Sequence, residues 1–153
     1  AAHDSARMDV LTTAFVMETI RLHESPYLYR SVVRDVQLGG YRIPKGWLVR
    51  LCLTEAHARV RGAATEDPFD PRPFAGTTPG SSGFCPFGHG RHACLGAEVA
   101  VEIAKTVVRE AALHYNLATV HDGPAWRINR HWGLWRPSRR LRVVLEPVHA
   151  RPL

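Results

Sequence analysis

No stretch of the sequence approaches the roughly 18 consecutive apolar residues that a bilayer-spanning helix needs, so no such helix is expected. Residues 1–7 are small and polar and lack the charged-then-apolar layout of a secretory signal, which sets the expectation of a cytoplasmic location. Internal repeats and low-complexity tracts are absent, which excludes solenoids and propellers. Cysteine is scarce. Cys52, Cys85 and Cys94 make an odd number, which argues against a disulfide framework and leaves at least one free thiol. Acidic residues are the minority: 14 Asp and Glu against 20 Lys and Arg give a formal charge of +6, which attracts acidic partners. The densest basic run, Arg136 to Arg142, reads as a solvated strand face. A hydrophobic fraction of 45% with 22% charged residues excludes wholesale disorder and a fibrous protein. The length of 153 residues suits one domain, so 1–153 is expected to form a single unit.

Periodicity then places the elements. Met8, Leu11, Phe15 and Leu22, with Val16 and Thr19 nearby, recur at helical spacing and predict an amphipathic helix from Met8 to His23, closed by Pro26. Arg30 to Leu38 alternates apolar and polar residues before Gly39-Gly40, a strand followed by a hairpin turn. The second arm, Tyr41 to Leu53, turns at Pro44-Lys45-Gly46 and ends in a β-rich run. Arg61 to Gly83 is Pro-, Gly- and Asp-rich, a long ordered meander of the kind that carries function. Leu95 to Leu113 predicts a helix with Ala100, Ile103, Ala104, Val107 and Ala111 on one face. Tyr115 to Pro147 reads as short strands around turns at Gly123-Pro124 and Pro137-Ser138.

The most distinctive segment is Phe84-Cys85-Pro86-Phe87-Gly88-His89-Gly90-Arg91-His92-Ala93-Cys94-Leu95-Gly96, a glycine-punctuated loop running into a helix. It is expected to place Cys94 at the helix start, where unpaired N–H groups and the dipole's positive end favour a thiolate by ~0.3–1 kcal/mol. Gly88 and Gly90 let the backbone turn tightly, and Gly96 leaves room on the first helical turn for a flat ligand.

Phe87 to Gly96 matches the ten-residue haem signature of the cytochrome P450 family at every defining position, and the chain resembles that family from Val10 to Pro147. The resemblance implies an α+β, mainly helical fold: helix, small β-sheet, meander, cysteine-ligand loop, long helix and C-terminal β hairpin. It implies haem b (iron protoporphyrin IX) as cofactor, with Cys94 as the iron ligand. Phe87 would pack beside the thiolate and His92 would reach a propionate. Gly88, Gly90, Arg91, Ala93, Leu95 and Gly96 would complete the loop against the macrocycle. A thiolate ligand pushes electron density through iron and favours oxygen–oxygen cleavage. Glu18-Thr19-Ile20-Arg21 resembles the family's structural Glu-x-x-Arg pair, and Arg30, ahead of the hairpin, would be a second propionate partner. Phe69-Asp70-Pro71-Arg72-Pro73-Phe74 resembles the family's meander motif, with Pro73 where the family usually has an arginine, so a three-membered ion network is expected to shrink to Glu18 and Arg21.

These matches correspond to the last third of a family member, and no counterpart of the distal acid–alcohol helix is found; Ala75-Gly76-Thr77-Thr78-Pro79 echoes it only in turn chemistry. The expected activity is oxidation of an apolar small-molecule substrate with dioxygen and electrons from an acidic donor such as ferredoxin, docked near Arg91, Lys105 and Arg109. A homodimer or a second polypeptide would cover the open haem face. Non-oxygenase or peroxide-driven haem chemistry, and a haem-binding partner that completes another chain, are the alternative classes. A zinc site of Cys85, His89, His92 and Cys94 has the right ligand types but does not need Phe87, Gly88, Gly90 or Gly96 where they stand. A dinucleotide fingerprint built on Gly88, Gly90, Ala93 and Glu110 lacks the βαβ context. Trp132 and Trp135 beside Arg136, Arg139, Arg140 and Arg142 could suggest a nucleic-acid surface with stacking rings; the resemblance implies instead that they belong to the C-terminal sheet and would serve as core or pocket wall. Cys52 and Cys85 are expected to pack as small hydrophobes, and His23, His57 and His114 to be surface or satisfied residues.

Overall fold

A computed structural model of the chain describes residues 2–23, 27–60, 69–76, 83–120, 129–131, 134–136 and 141–148. Among the described residues are three α-helices, α1 (Ala2–His23), α2 (Leu53–Val60) and α3 (Ala97–His114), with four short strands between α1 and α2 and four after α3: β1 (Tyr27–Ser31), β2 (Val36–Leu38), β3 (Tyr41–Ile43), β4 (Leu48–Cys52), β5 (Tyr115–Thr119), β6 (Asn129–His131), β7 (Leu134–Arg136) and β8 (Val143–Pro147). All pairing is antiparallel and two-stranded: β1 with β4, β2 with β3, β5 with β8, β6 with β7. The turns expected at Gly123-Pro124 and Pro137-Ser138, the Thr77–Pro79 part of the echo, Pro26, Trp132, Arg139, Arg140 and most of the meander lie outside the described residues.

α1 begins at Ala2 rather than Met8, because its first turns are polar and give no apolar period. Its buried side also differs from the expected one. Leu11 and Phe15 are exposed, while Ala14, Met17, Glu18 and Arg21, at helical i, i+3, i+4, i+7 spacing, are buried. Periodicity finds an apolar stripe but cannot say which stripe meets a neighbour. Two hydroxyls on α1 are satisfied within it, Thr12 donating to the Met8 carbonyl (2.9 Å) and Thr19 to that of Phe15 (2.8 Å).

The strand read from Arg30 to Leu38 is two strands with a break at Val32–Asp35, so that β1 pairs with β4 in the register Arg30↔Val49 while β2 and β3 form a separate hairpin. Gly39 (φ +58°) and Gly40 (φ +84°) occupy the left-handed region that a two-residue turn requires. Asp35 ties this hairpin down, accepting the Lys45 N–H (2.9 Å) and the Arg42 guanidinium (2.6 Å); the backbone bond first, and then Arg42, hold its carboxyl below the usual range.

α3 packs on α1, and β5 follows directly from its end. Here too the helix is as expected but its inner face is not: Val99, Ile103 and Val107 are exposed, and Val101 meets the Ala14–Met17–Phe74–Phe84 cluster. Lys105, its side chain only 14% exposed, bridges the two helices by ion pairs to Asp9 (2.7 Å) and Glu102 (2.8 Å). Hydrogen bonds to Asp9 and then Glu102 raise its pKa. A raised folded-state value means that the contribution is complete below the unfolded pKa and fades as pH rises through the folded one. Lys105→Met is therefore expected to cost about 0.5–1 kcal/mol at neutral pH, since Asp9 is largely solvated. In urea titrations the difference from wild type should vanish at strongly alkaline pH; a constant difference would assign the loss to packing.

The candidate haem-thiolate site

The site rises from a small buried base. Phe84 is buried, its ring 4.9 Å from Phe74 and 4.7 Å from the imidazole of His57. His57, on α2, is 1% exposed, and its Nε2 accepts the backbone N–H of Cys85 (3.2 Å). Phe74 closes a 3₁₀ turn, Arg72–Phe74, that packs on α1. The expected ion pair is fully formed: Arg21 donates from Nε and Nη2 to the two carboxylate oxygens of Glu18 at 2.7 and 2.8 Å, with side chains 3% and 0% exposed. Glu18 also accepts the backbone N–H of Asp70 at 3.0 Å. Beside Pro73, the meander thus reaches the carboxylate through a peptide group, while Arg72 turns outward onto Asp70 (2.8 Å). His23, just beyond on α1, is held below its ordinary pKa by burial, with the Glu18 charge opposing.

From this base the loop turns back on itself. The Gly88 N–H donates to the Cys85 carbonyl (3.0 Å), the Ala93 N–H to that of Gly90 (3.0 Å), and the Cys94 N–H to that of Phe87 (2.8 Å), which closes the loop at its neck. Gly88 (φ +78°) and Gly90 (φ +60°) need their left-handed conformations, and a Cβ on Gly88 would stand 3.1 Å from the His92 carbonyl oxygen. Gly88→Ala is expected to cost about 1–2 kcal/mol, from the φ penalty with the contact added. Gly90→Ala, which meets open space, should cost less. Chemical denaturation of both variants checks the order, and equal losses would show the contact to be relaxed away.

Cys94 does not open the helix. Gly96 is the N-cap and α3 starts at Ala97, so the thiol stands ahead of the first turn, with its carbonyl accepting the Ala97 N–H (3.3 Å). Cys94, Arg91 and His92 are exposed, and Leu95 beside the thiol is completely exposed. Phe87 is half-buried below. Gly96 has φ −91° and nothing within 4 Å of an added Cβ, so the chain itself makes no demand for glycine there. Cys52 and Cys85 are half-buried.

Other expected partners are not gathered at the loop. Arg30 lies on β1 with its Nη1 turned onto the Tyr29 carbonyl (2.8 Å) and forms no ion pair among the described residues. Lys105, near the expected docking surface, is paired with Asp9 and Glu102, and Arg109 is half exposed with a 3.5 Å contact to Glu110. Glu110 lies inside α3, as the rejection of a dinucleotide site requires. Among the described residues no group of three His, Cys, Asp or Glu side chains is placed to hold a metal ion, so the zinc arrangement of Cys85, His89, His92 and Cys94 does not form. A lone, exposed thiol suits a metal whose remaining ligands come from a flat macrocycle, and the exposed Leu95 and the open side of Gly96 offer it a surface.

The Cytochrome P450 family profile matches residues 2–145. The chain belongs to the cytochrome P450 family. It is 38% identical to cytochrome P450 BJ-3 of Bradyrhizobium diazoefficiens, over 75% of this chain and 28% of that protein. It is 32% identical to abscisic acid 8'-hydroxylase 1 of rice, Oryza sativa subsp. japonica, over 76% of this chain and 24% of the hydroxylase. Among solved structures, a zebra fish cytochrome P450 with abiraterone superposes with a TM-score of 0.74 at 25% identity, covering 92% of this chain and 33% of that one. A retinoic-acid-bound cyanobacterial CYP120A1 gives 0.70 at 26%, covering 88% and 32%. The chain therefore spans about a quarter to a third of the length of these relatives. The α+β fold read from the sequence is that of this P450 portion, and haem b is the cofactor the family carries.

Sequence reasoning missed α2 and, with it, His57. The spacing Leu53, His57, Ala58, all buried, was the available signal, but the β-rich run before it masked the switch to helical period.

Proposed function

We propose that this chain supplies the proximal haem-binding part of a P450 monooxygenase that oxidises an apolar small molecule with dioxygen and electrons from a redox partner. The single observation that carries the reading is the exposed Cys94 thiol at the neck of a loop closed by the Cys94–Phe87 peptide hydrogen bond and seated on a buried core. The hydroxylase name of a plant relative supports the oxidative class. Haem, when bound, supplies the dioxygen chemistry, and a thiolate ligand donates electron density to it. The chain's own residues do the rest. Cys94 would be the ligand, Phe87 would shield its sulfur from water, and the exposed Arg91 and His92 would meet the propionates, with Arg30 reaching them only by leaving the Tyr29 carbonyl. Turnover in labelled dioxygen with reductant tests the oxygen chemistry: label in the product supports it, and product formed without dioxygen points to isomerase-like or peroxide-driven chemistry.

The electron donor in this reading is acidic, such as a ferredoxin, and a cytoplasmic location goes with it. No helix among the described residues is long and apolar enough to cross a membrane. With Lys105 occupied and Arg91 turned to the propionates, Arg109 remains as the docking cation. Reversing Arg109 to Glu should slow donor association by roughly threefold at low salt and much less at high salt, with haem content unchanged. Stopped-flow reduction kinetics that ignore both charge and salt would place docking elsewhere.

A further inference from the structure

Cys94 reaches the protein interior through a short relay of peptide hydrogen bonds. Its N–H is held by the Phe87 carbonyl at 2.8 Å; the next residue, Gly88, donates to the Cys85 carbonyl at 3.0 Å; and the Cys85 N–H ends on His57 Nε2 at 3.2 Å. The last acceptor is the one side chain in this series, and it belongs to a different element. A ring nitrogen accepts only through its lone pair, so the Cys85 N–H meets the acceptor side of the imidazole. Packing fixes the ring plane: Phe84 lies 4.7 Å away at a 60° tilt, and Leu53 and Ala58 of the same short helix are buried with it. α2 follows β4 without a break, and β4 pairs with the strand that carries Arg30, so His57 links that strand pair to the cysteine loop.

We infer that His57 is a positioning residue for the thiolate ligand: its Nε2 anchors the Cys85 amide and, through Gly88 and Phe87, fixes the peptide that holds Cys94 against the iron. This rests on the haem-thiolate reading of Cys94. An apolar ring in its place would leave a part-buried N–H without its acceptor, a loss that corresponds to about a tenfold change in the equilibrium between seated and unseated loop. The inference separates shape from hydrogen bonding. His57→Phe keeps the ring against Phe84 and removes the acceptor. His57→Gln places an amide oxygen where Nε2 stands, and His57→Asn places it short of Cys85.

The test uses the full haem-loaded chain and two readouts: the ratio of thiolate-lost to thiolate-bound Soret forms in the ferrous carbon monoxide complex, and hydrogen exchange of the Cys85 and Cys94 amides. For Phe and Asn both are expected to rise about tenfold, and Gln should stay within about threefold of wild type. Wild-type behaviour of a folded Phe variant would reduce His57 to packing and overturn the inference. Should the Phe variant not fold, the Gln–Asn contrast decides, and equality of those two overturns it. A wild-type protein without any thiolate-type band would instead defeat the haem reading, while the amide-exchange contrast would still judge the anchor.

Discussion

Glu18→Ala is expected to lower stability by about 3–5 kcal/mol and to yield protein that is largely haem-free. Both partners of the Glu18–Arg21 pair are within a few per cent of complete burial, and removing one strands the other charge where water cannot reach it. The Asp70 N–H loses its 3.0 Å acceptor at the same time, which removes one tie between the meander and α1. A loss of that size is a large fraction of the ~5–15 kcal/mol that holds a domain together. The pair itself need not be a net source of stability, because both charges were desolvated to make it. Glu18→Met with Arg21→Met should therefore cost clearly less than the sum of the single changes, and a double-mutant cycle in urea reads the difference. A haem-replete Glu18→Ala protein within 1 kcal/mol of wild type would show that the pair does not support the loop.

The loop that carries the candidate site was legible in the sequence where its shape is local. Phe87 to Gly96 is one contiguous loop, and the turns at Gly88 and Gly90 demand glycine by their φ values, so residue type and spacing carried the reading. Glu18 and Arg21 are three apart on one helix, and their pairing needed no knowledge of the fold. What depended on distant packing was not legible. Met8, Leu11, Phe15 and Leu22 form a real apolar stripe, yet α1 buries the face with Ala14, Met17 and the ion pair, because α3 and the Phe74 turn lie there. The pairing of Lys105 with Asp9 was not legible because Asp9 lies on a different helix, far away in sequence. His57 was read only as a surface or satisfied histidine; its anchoring contact was not legible because the partner is a backbone amide, which no side-chain pattern records. The helix was placed too early at Cys94 because Gly96, the actual N-cap, carries no side chain to announce it.

Cys94→Ala is expected to have the largest effect on function: complete loss of the thiolate-type spectrum with little loss of fold. The side chain is exposed and makes no contribution to the core, and the backbone bonds that shape the loop, Cys94 N–H to Phe87 and Ala97 N–H to Cys94, survive the change. Truncation thus removes the thiol and leaves the loop that presents it. The measurement that bears most directly on the whole account is the ferrous carbon monoxide spectrum of the haem-loaded protein, recorded for wild type and Cys94→Ala side by side. The account predicts the strongly red-shifted Soret band of a thiolate-ligated haem in the wild type and its absence in the variant; the same band in both proteins, or zinc and no haem in the wild type, would contradict it.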